Sequence, residues 1–282
     1  NAGGQYVYIQ RAYGKLTSFL YGWTVFTVIQ TGVIAAVAVA FAKYTSVFFP
    51  NLNTDFLVLS ASFKITYAQL LAMACIVFLT FVNAQGVQSG RVVQLIFTSA
   101  KLIALFALIV LGLAWGLKSD TLSQNFSNMW EASKTTFENG KLSIVPLTGF
   151  ALMGAMGATI INSLFSSDAW NNVTFIAGEI KEPQRNIPRS LFLGTLIVTV
   201  IYILANIAYL ALLPLHGDPT ATDAYAQGIQ FATNDRVGSA AASIIFGNSA
   251  VYLMAALIMV STFGCNNGII LAGARLFYAM SK

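Results

Sequence analysis

Two ionisable side chains, Lys101 and Asp168, fall inside long apolar stretches of the sequence. A charge at the centre of a bilayer costs roughly 2.5–3.5 kcal/mol on insertion scales, so each must be paired inside the protein or act on a solute. Lys101 lies ten residues past Arg91. At ~1.5 Å per residue that is about 15 Å of helix, the middle of a ~30 Å hydrocarbon core. There it serves as a structural lysine pinning two helices, as a cation in an ion-coupling position, or as a group that passes protons. Asp168 closes a polar run with Ser163, Ser166 and Ser167, and Ala169, Trp170, Asn171 and Asn172 follow it directly. No lipid-facing helix would carry that run, which predicts that 160–172 is not one continuous helix. Broken backbone at membrane depth offers bare N–H groups to a carboxylate and bare carbonyls to an ammonium, the two charges of a small zwitterion. A buried polar knot between helices is the competing reading. A second polar stretch, 261–268, brings the hydroxyls of Ser261 and Thr262, which either meet a cation or back-bond within their own helix.

The elements that must position these groups are membrane helices. Of 282 residues 57% are hydrophobic and 9% charged, with a mean hydropathy of +0.71; a soluble domain carries roughly 25% charged residues. A soluble globular protein is excluded. Cys75 and Cys265 both lie in apolar stretches and His216 is the one histidine, so neither a disulfide framework nor a Cys/His metal site is available. The net charge of +5 is spread through loops without a Lys/Arg run, which argues for a membrane protein and against a nucleic-acid partner. No phosphate-cradling loop, nucleophile triad or acid–base pair at an interface is present, so no enzyme and no cofactor are expected. An ion channel would need a continuous polar stripe or charged ring, whereas the polar residues come in two patches.

Six apolar segments are read: 16–49, 67–87, 92–117, 144–180, 187–213 and 249–280. The expected layout is one transmembrane domain over 1–282, an internal piece of a longer protein. It starts with a cytoplasmic loop (1–15) and three membrane helices (16–117). An external loop (118–143), a broken substrate-site helix (144–180) and a membrane helix (187–213) follow. An external loop with a short interfacial helix (214–248) and a last membrane helix (249–282) complete it. In this orientation the inside segments carry eight basic residues against two acidic ones, and the outside six against seven. That bias places the first helix entering from the cytoplasm. A sequon, Asn125-Phe126-Ser127, then falls outside.

The run Phe165-Ser166-Ser167-Asp168-Ala169-Trp170-Asn171-Asn172, followed by Glu179-Ile180-Lys181-Glu182-Pro183-Gln184-Arg185-Asn186-Ile187-Pro188-Arg189, resembles the broken sixth helix and following loop of the amino acid-polyamine-organocation superfamily. Within it, the resemblance is to the L-type amino acid transporter branch and its bacterial relatives. Gly3-Gly4-Gln5-Tyr6-Val7-Tyr8, Ala100-Lys101-Leu102, and Ser261-Thr262-Phe263-Gly264 with Asn267-Gly268 and Ala274-Arg275 extend it along the chain. The resemblance implies an all-α membrane protein with a partial LeuT-type inverted-repeat fold, its six membrane segments corresponding to the family's helices three to eight. It further implies secondary transport of neutral amino acids by alternating access, as sodium-independent uniport or exchange or proton-linked, in the plasma (cell inner) membrane. Phe165, Ser166, Ser167, Asp168, Ala169 and Trp170 would bind substrate, with Phe165 as its gate or wall. Lys101 would take the place of a sodium ion near Ser261 and Thr262, unless it pairs directly with Asp168. The expected partners are an amino acid and the lipid bilayer; an accessory subunit is left open. A polyamine or cationic amino acid carrier is the alternative within the superfamily, and an ion channel the alternative outside it. Ser166 and Ser167 precede Asp168, and Ala169 stands where the family has glycine, which favours a polar or small neutral substrate.

Overall fold

The computed structural model describes residues 3–281 apart from 55, 61–62, 86, 128–129, 139–140, 167–168, 176 and 234–235. The chain opens with a helical stretch, Gly4–Thr45. It comprises α1 (Gly4–Thr24), a π-helical segment (Val25–Gln30) and α2 (Thr31–Thr45). Gly14 kinks α1 at φ 87°, a conformation that glycine adopts without steric cost. After α3 (Asn51–Thr54), strands β1 (Phe56–Ser60) and β2 (Phe63–Thr66) form an antiparallel hairpin. Helix α4 (Tyr67–Ala84) starts on a capping box, Gln69 N–H donating to Thr66 Oγ1 at 3.2 Å and Thr66 N–H to Gln69 Oε1 at 3.0 Å. Then come α5 (Val87–Gly116), α6 (Thr121–Ser127) and a second antiparallel hairpin of β3 (Ser133–Glu138) and β4 (Lys141–Pro146). Helix α7 (Gly149–Ser166) is followed by 3-10 turns at Asn172–Thr174 and Ala177–Glu179. Last are α8 (Pro183–Leu212), α9 (Ala224–Gln227), α10 (Val237–Phe246), a 3-10 turn (Gly247–Ser249) and α11 (Ala250–Met280).

Among the described residues, five helical stretches are long and apolar enough to cross a membrane: Gly4–Thr45, Tyr67–Ala84, Gln94–Gly116, Pro183–Leu212 and Val237–Met280. Gly149–Ile160 is a shorter apolar helix. The chain is mostly helical, as expected, but its first helix begins at Gly4, inside the stretch 1–15 expected as a loop. The two hairpins were not anticipated, and β4 takes residues 144–146 from the start of the fourth apolar segment. Helix α8 begins at Pro183, where the missing N–H is an orphan in any helix, so Pro188 lies inside the helix and not in its first turn. Helix α11 runs unbroken through the polar stretch 261–268, and of the two readings of its hydroxyls the back-bonded one holds at Thr262. Thr262 Oγ1 back-bonds to the carbonyls of Ile258 (2.8 Å) and Met259 (3.1 Å), so its polarity is absorbed without breaking the helix.

The chain divides into two compact units. In the first (Asn1–Phe106, Asn171–Ile197, Val251–Lys282), alanines 38 and 42 of α2 meet alanines 68 and 72 of α4, all buried, and small residues let the two backbones approach closely. Cys75 and Leu79 of α4 pack against Ile270 of α11. In the second (Ala107–Trp170, Val198–Ala250), α5 and α8 meet along another small-residue seam: a Cβ added to Gly116 would come within 2.6 Å of Ala211 Cβ. Large apolar side chains such as Phe106 and Phe150 are 64% and 91% exposed, the orientation that lipid rewards.

Asn125 has a different task from the one its sequon suggests. Its Nδ2 donates to the carbonyls of Leu210 (2.8 Å) and Leu213 (2.9 Å), and its Oδ1 accepts from Leu215 N–H (2.7 Å). Both amide hydrogens are spent on the open carbonyls at the end of α8, so a glycan at this nitrogen would break the cap. Asn125→Ala is expected to destabilise this end of the second unit by about 1–3 kcal/mol, the usual cost of leaving such groups unpaired. Ser127→Ala, which destroys the sequon and leaves the cap, should be neutral; thermal melting of the two variants checks both.

Candidate functional site

Helix α7 ends at Ser166, and the backbone then turns: Ala169 has φ 64°, in the left-handed region that L-residues avoid. Carbonyls at the C-terminal end of a helix carry the negative end of the helix dipole and can accept from an ammonium. Trp170 is 62% exposed. The side chains of Phe165 and Ser166, and Ser167 and Asp168 altogether, lie outside the described residues. So does any Lys101–Asp168 ion pair.

Beyond the turn the chain is tightly held. Thr174 donates from both its N–H (2.9 Å) and its Oγ1 (2.7 Å) to the carbonyl of Asn171, and Phe175 N–H donates to Asn172 (3.1 Å). Thr174 and Phe175 are buried against the start of α1. A Cβ on Gly4 would lie 2.6 Å from both Phe175 Cδ1 and Thr174 Oγ1, and Gly4 has φ 52°, so space and conformation both require glycine there. Phe175 completes a cluster with Val25, Ala272 and Leu276, flanked by Tyr6, Tyr21 and Met280. Tyr21 hydroxyl donates to Gln5 Oε1 beside it.

Lys101 projects from the α5 face turned to α11. The helices are antiparallel, with Gly268 against Gln94 and Gly264 against Phe97, where an added Cβ would meet Phe97 Cβ at 2.5 Å. Continuing that register brings Lys101 level with Ser261. Lys101 as a whole is half-buried. Above this level Phe263 stands among Phe97, Phe41 and Phe78, ring centroids 4.9, 5.8 and 6.3 Å away. It helps line an apolar crevice of about 510 Å³ with Phe48, Phe49 and Met259.

Sequence reasoning singled out Lys101 and missed the amides beside it. Asn83 Nδ2 donates to Asn267 Oδ1 (2.9 Å), Asn267 Nδ2 to Gln94 Oε1 (3.5 Å) and Gln94 Nε2 to Thr98 Oγ1 (3.2 Å), tying α4, α5 and α11 together. Gln30, in the π-helical segment, donates to the carbonyl of Ile269 at 2.6 Å. The available signal was the set of amides within apolar segments at 30, 83, 94, 266 and 267.

Residues 1–282 match a family model described as amino acid permease. Among curated relatives, b(0,+)-type amino acid transporter 1 of Mus musculus is 28% identical over 286 residues, covering 100% of this chain and 50% of that protein. Its Homo sapiens counterpart gives the same identity and coverage. Large neutral amino acids transporter small subunit 2 of Mus musculus is 29% identical over 285 residues, covering 100% of this chain and 46% of the relative. The chain spans about half the length of these relatives. The match runs through the apolar helices and the interruption after α7 alike, and on it the chain is a multi-pass membrane protein that belongs to the amino acid permease family.

Proposed function

We propose that this chain carries the broken-helix part of a secondary transporter of neutral amino acids that works by alternating access in the plasma membrane. The observation that carries the reading is the end of α7 at Ser166 with Ala169 forced into a left-handed turn. In a family of amino acid permeases, such a break leaves carbonyls free for a substrate ammonium. The segment from Phe165 to Trp170 forms the substrate site: the carbonyls at the end of α7 take the ammonium, and the Ser166-Ser167-Asp168 run provides its polar surroundings. Phe165 closes over the substrate. Lys101, level with Ser261 and Thr262, supplies the fixed positive charge that a sodium ion would otherwise provide, so transport is sodium-independent uniport or exchange, or proton-linked. The names of the relatives, which specify amino acids and large neutral amino acids, agree with this substrate class.

Uptake of a labelled panel of neutral and cationic amino acids and polyamines by the full-length protein in liposomes tests the proposal. Saturable uptake of neutral amino acids with sodium replaced by choline is expected; uptake confined to polyamines, or none of any amino acid, would overturn it. Phe165→Ala should lower uptake several-fold in the same assay. Phe106→Ala, at an exposed outward position, should leave it near wild type.

A further inference from the structure

We infer that Val25–Gln30 is a latched hinge: an extra residue wound into the first membrane helix and held by the side chain of Gln30 on α11, about which α2 moves relative to α1. The inward positions before it, Ser18, Gly22 and Val25, are buried and step by four and then three residues. Those after it, Gln30, Ile34, Ala38 and Ala42, step by four and meet α11 or α4. Between Val25 and Gln30 the step is five. At about 100° per residue an α-helix would turn Gln30 roughly 140° away from Val25, whereas a turn closed by i→i+5 hydrogen bonds keeps both on one side. The wide turn thus carries one inward face from α1 into α2.

The turn is gripped from the α11 side. Val25 packs with Ala272 and Leu276, and Phe26 sets its ring edge-on to Phe277, centroids 4.5 Å apart. Val28 and Ile29 on the other side are 64% and 47% exposed. The polar tie is Gln30 Nε2 donating to the Ile269 carbonyl at 2.6 Å. A Cβ on Gly273 would come within 2.9 Å of Gln30 Cγ, so glycine there gives the amide its path. The Ile269 carbonyl lies inside the unbroken α11, whose own i→i+4 ladder serves it, so the latch can open without orphaning that oxygen. The hydroxyls of Thr24, Thr27 and Thr31 donate to the carbonyls of Leu20 (2.9 Å), Trp23 (2.8 Å) and Thr27 (2.9 Å). Those acceptors keep a local partner whichever way the backbone ladder closes, which lowers the cost of rewinding the turn. Hinges are a few residues that absorb a backbone change between packed elements, and a wide turn with one removable tie has that form. The hinge stands on this geometry; that its motion is a step of transport rests on the function proposed above.

Spin labels at Trp23→Cys and Val39→Cys, exposed positions on either side of the segment, measure the hinge by double electron–electron resonance. The sample is the full-length protein in nanodiscs, with Cys75 and Cys265 replaced by alanine. Gln30→Leu, which keeps the bulk and removes the donor, should at least double the width of the distance distribution or add a second distance. Deleting Val28 shortens the step after Val25 to four residues, which a regular α-helix accommodates with both inward faces kept. The shortened protein should melt at or above the wild-type temperature, give one narrow distance and lose amino acid uptake at least 10-fold. Wild-type uptake after the deletion, or a distance distribution that Gln30→Leu leaves unchanged, would overturn the inference; the Gln30→Leu distances decide alone should the shortened protein not fold. Absence of uptake by the wild type, with the distances responding as expected, would count against the transport reading alone.

Discussion

Lys101→Ala leaves the full-length protein folded and lowers amino acid uptake by about 10- to 100-fold, the kinetic equivalent of the ~1.5–3 kcal/mol that hydrogen bonds to a charged group contribute. The expectation follows from position. Lys101 is half-buried on the α5 face that packs against α11, level with Ser261. An alanine there removes the one fixed charge that holds the coupling position, with little loss of packing, since the close helix contact is made by Phe97 on Gly264. Initial uptake rates with and without sodium, together with melting curves, measure the effect. Full activity of the variant, or wild-type uptake that requires sodium, contradicts the assigned role.

Ala169 is expected to be still more sensitive, in a direction set by its backbone. At φ 64° an L-residue stands about 1–2 kcal/mol above its relaxed state, and a β-branched side chain is a genuine outlier there. Ala169→Val should push the turn out of the left-handed region and displace the end of α7. A displacement of ~1 Å at a reacting or binding site is enough to cost about 100-fold. Ala169→Gly should keep affinity within a few-fold of wild type and raise the melting temperature or leave it unchanged. Equilibrium binding of a labelled amino acid to the purified protein separates the two variants; equal affinities would show that the turn does not position substrate.

The parts of the molecule that the sequence made legible are those where polarity and membrane thickness leave few solutions. A run of serines, an aspartate and two asparagines cannot continue a lipid-facing helix, and α7 does end within it. The long apolar segments are helices because no other backbone satisfies its own N–H and C=O groups in lipid. Where a side chain can satisfy itself locally, polarity alone does not decide between a break and a helix: Thr262 bonds to the turn behind it, and α11 continues through the eight residues 261–268. The hairpins at 56–66 and 133–146 are short and outside any long periodic pattern, so strand and loop were indistinguishable there. Asn125 matched a three-residue sequon, yet its role depends on carbonyls 85 and 88 positions away, which no local pattern encodes. Phe165 to Asp168 were singled out by type alone, because polar residues at membrane depth need a reason to be there.

The most direct measurement of the central proposal is the structure of the full-length protein with a neutral amino acid bound. The ammonium should lie within ~2.7–3.2 Å of the carbonyl oxygens at the end of α7, with Phe165 over the substrate and Ala169 still in its left-handed turn. A substrate bound away from 165–170, or a continuous helix through 160–172 in the bound state, would contradict it.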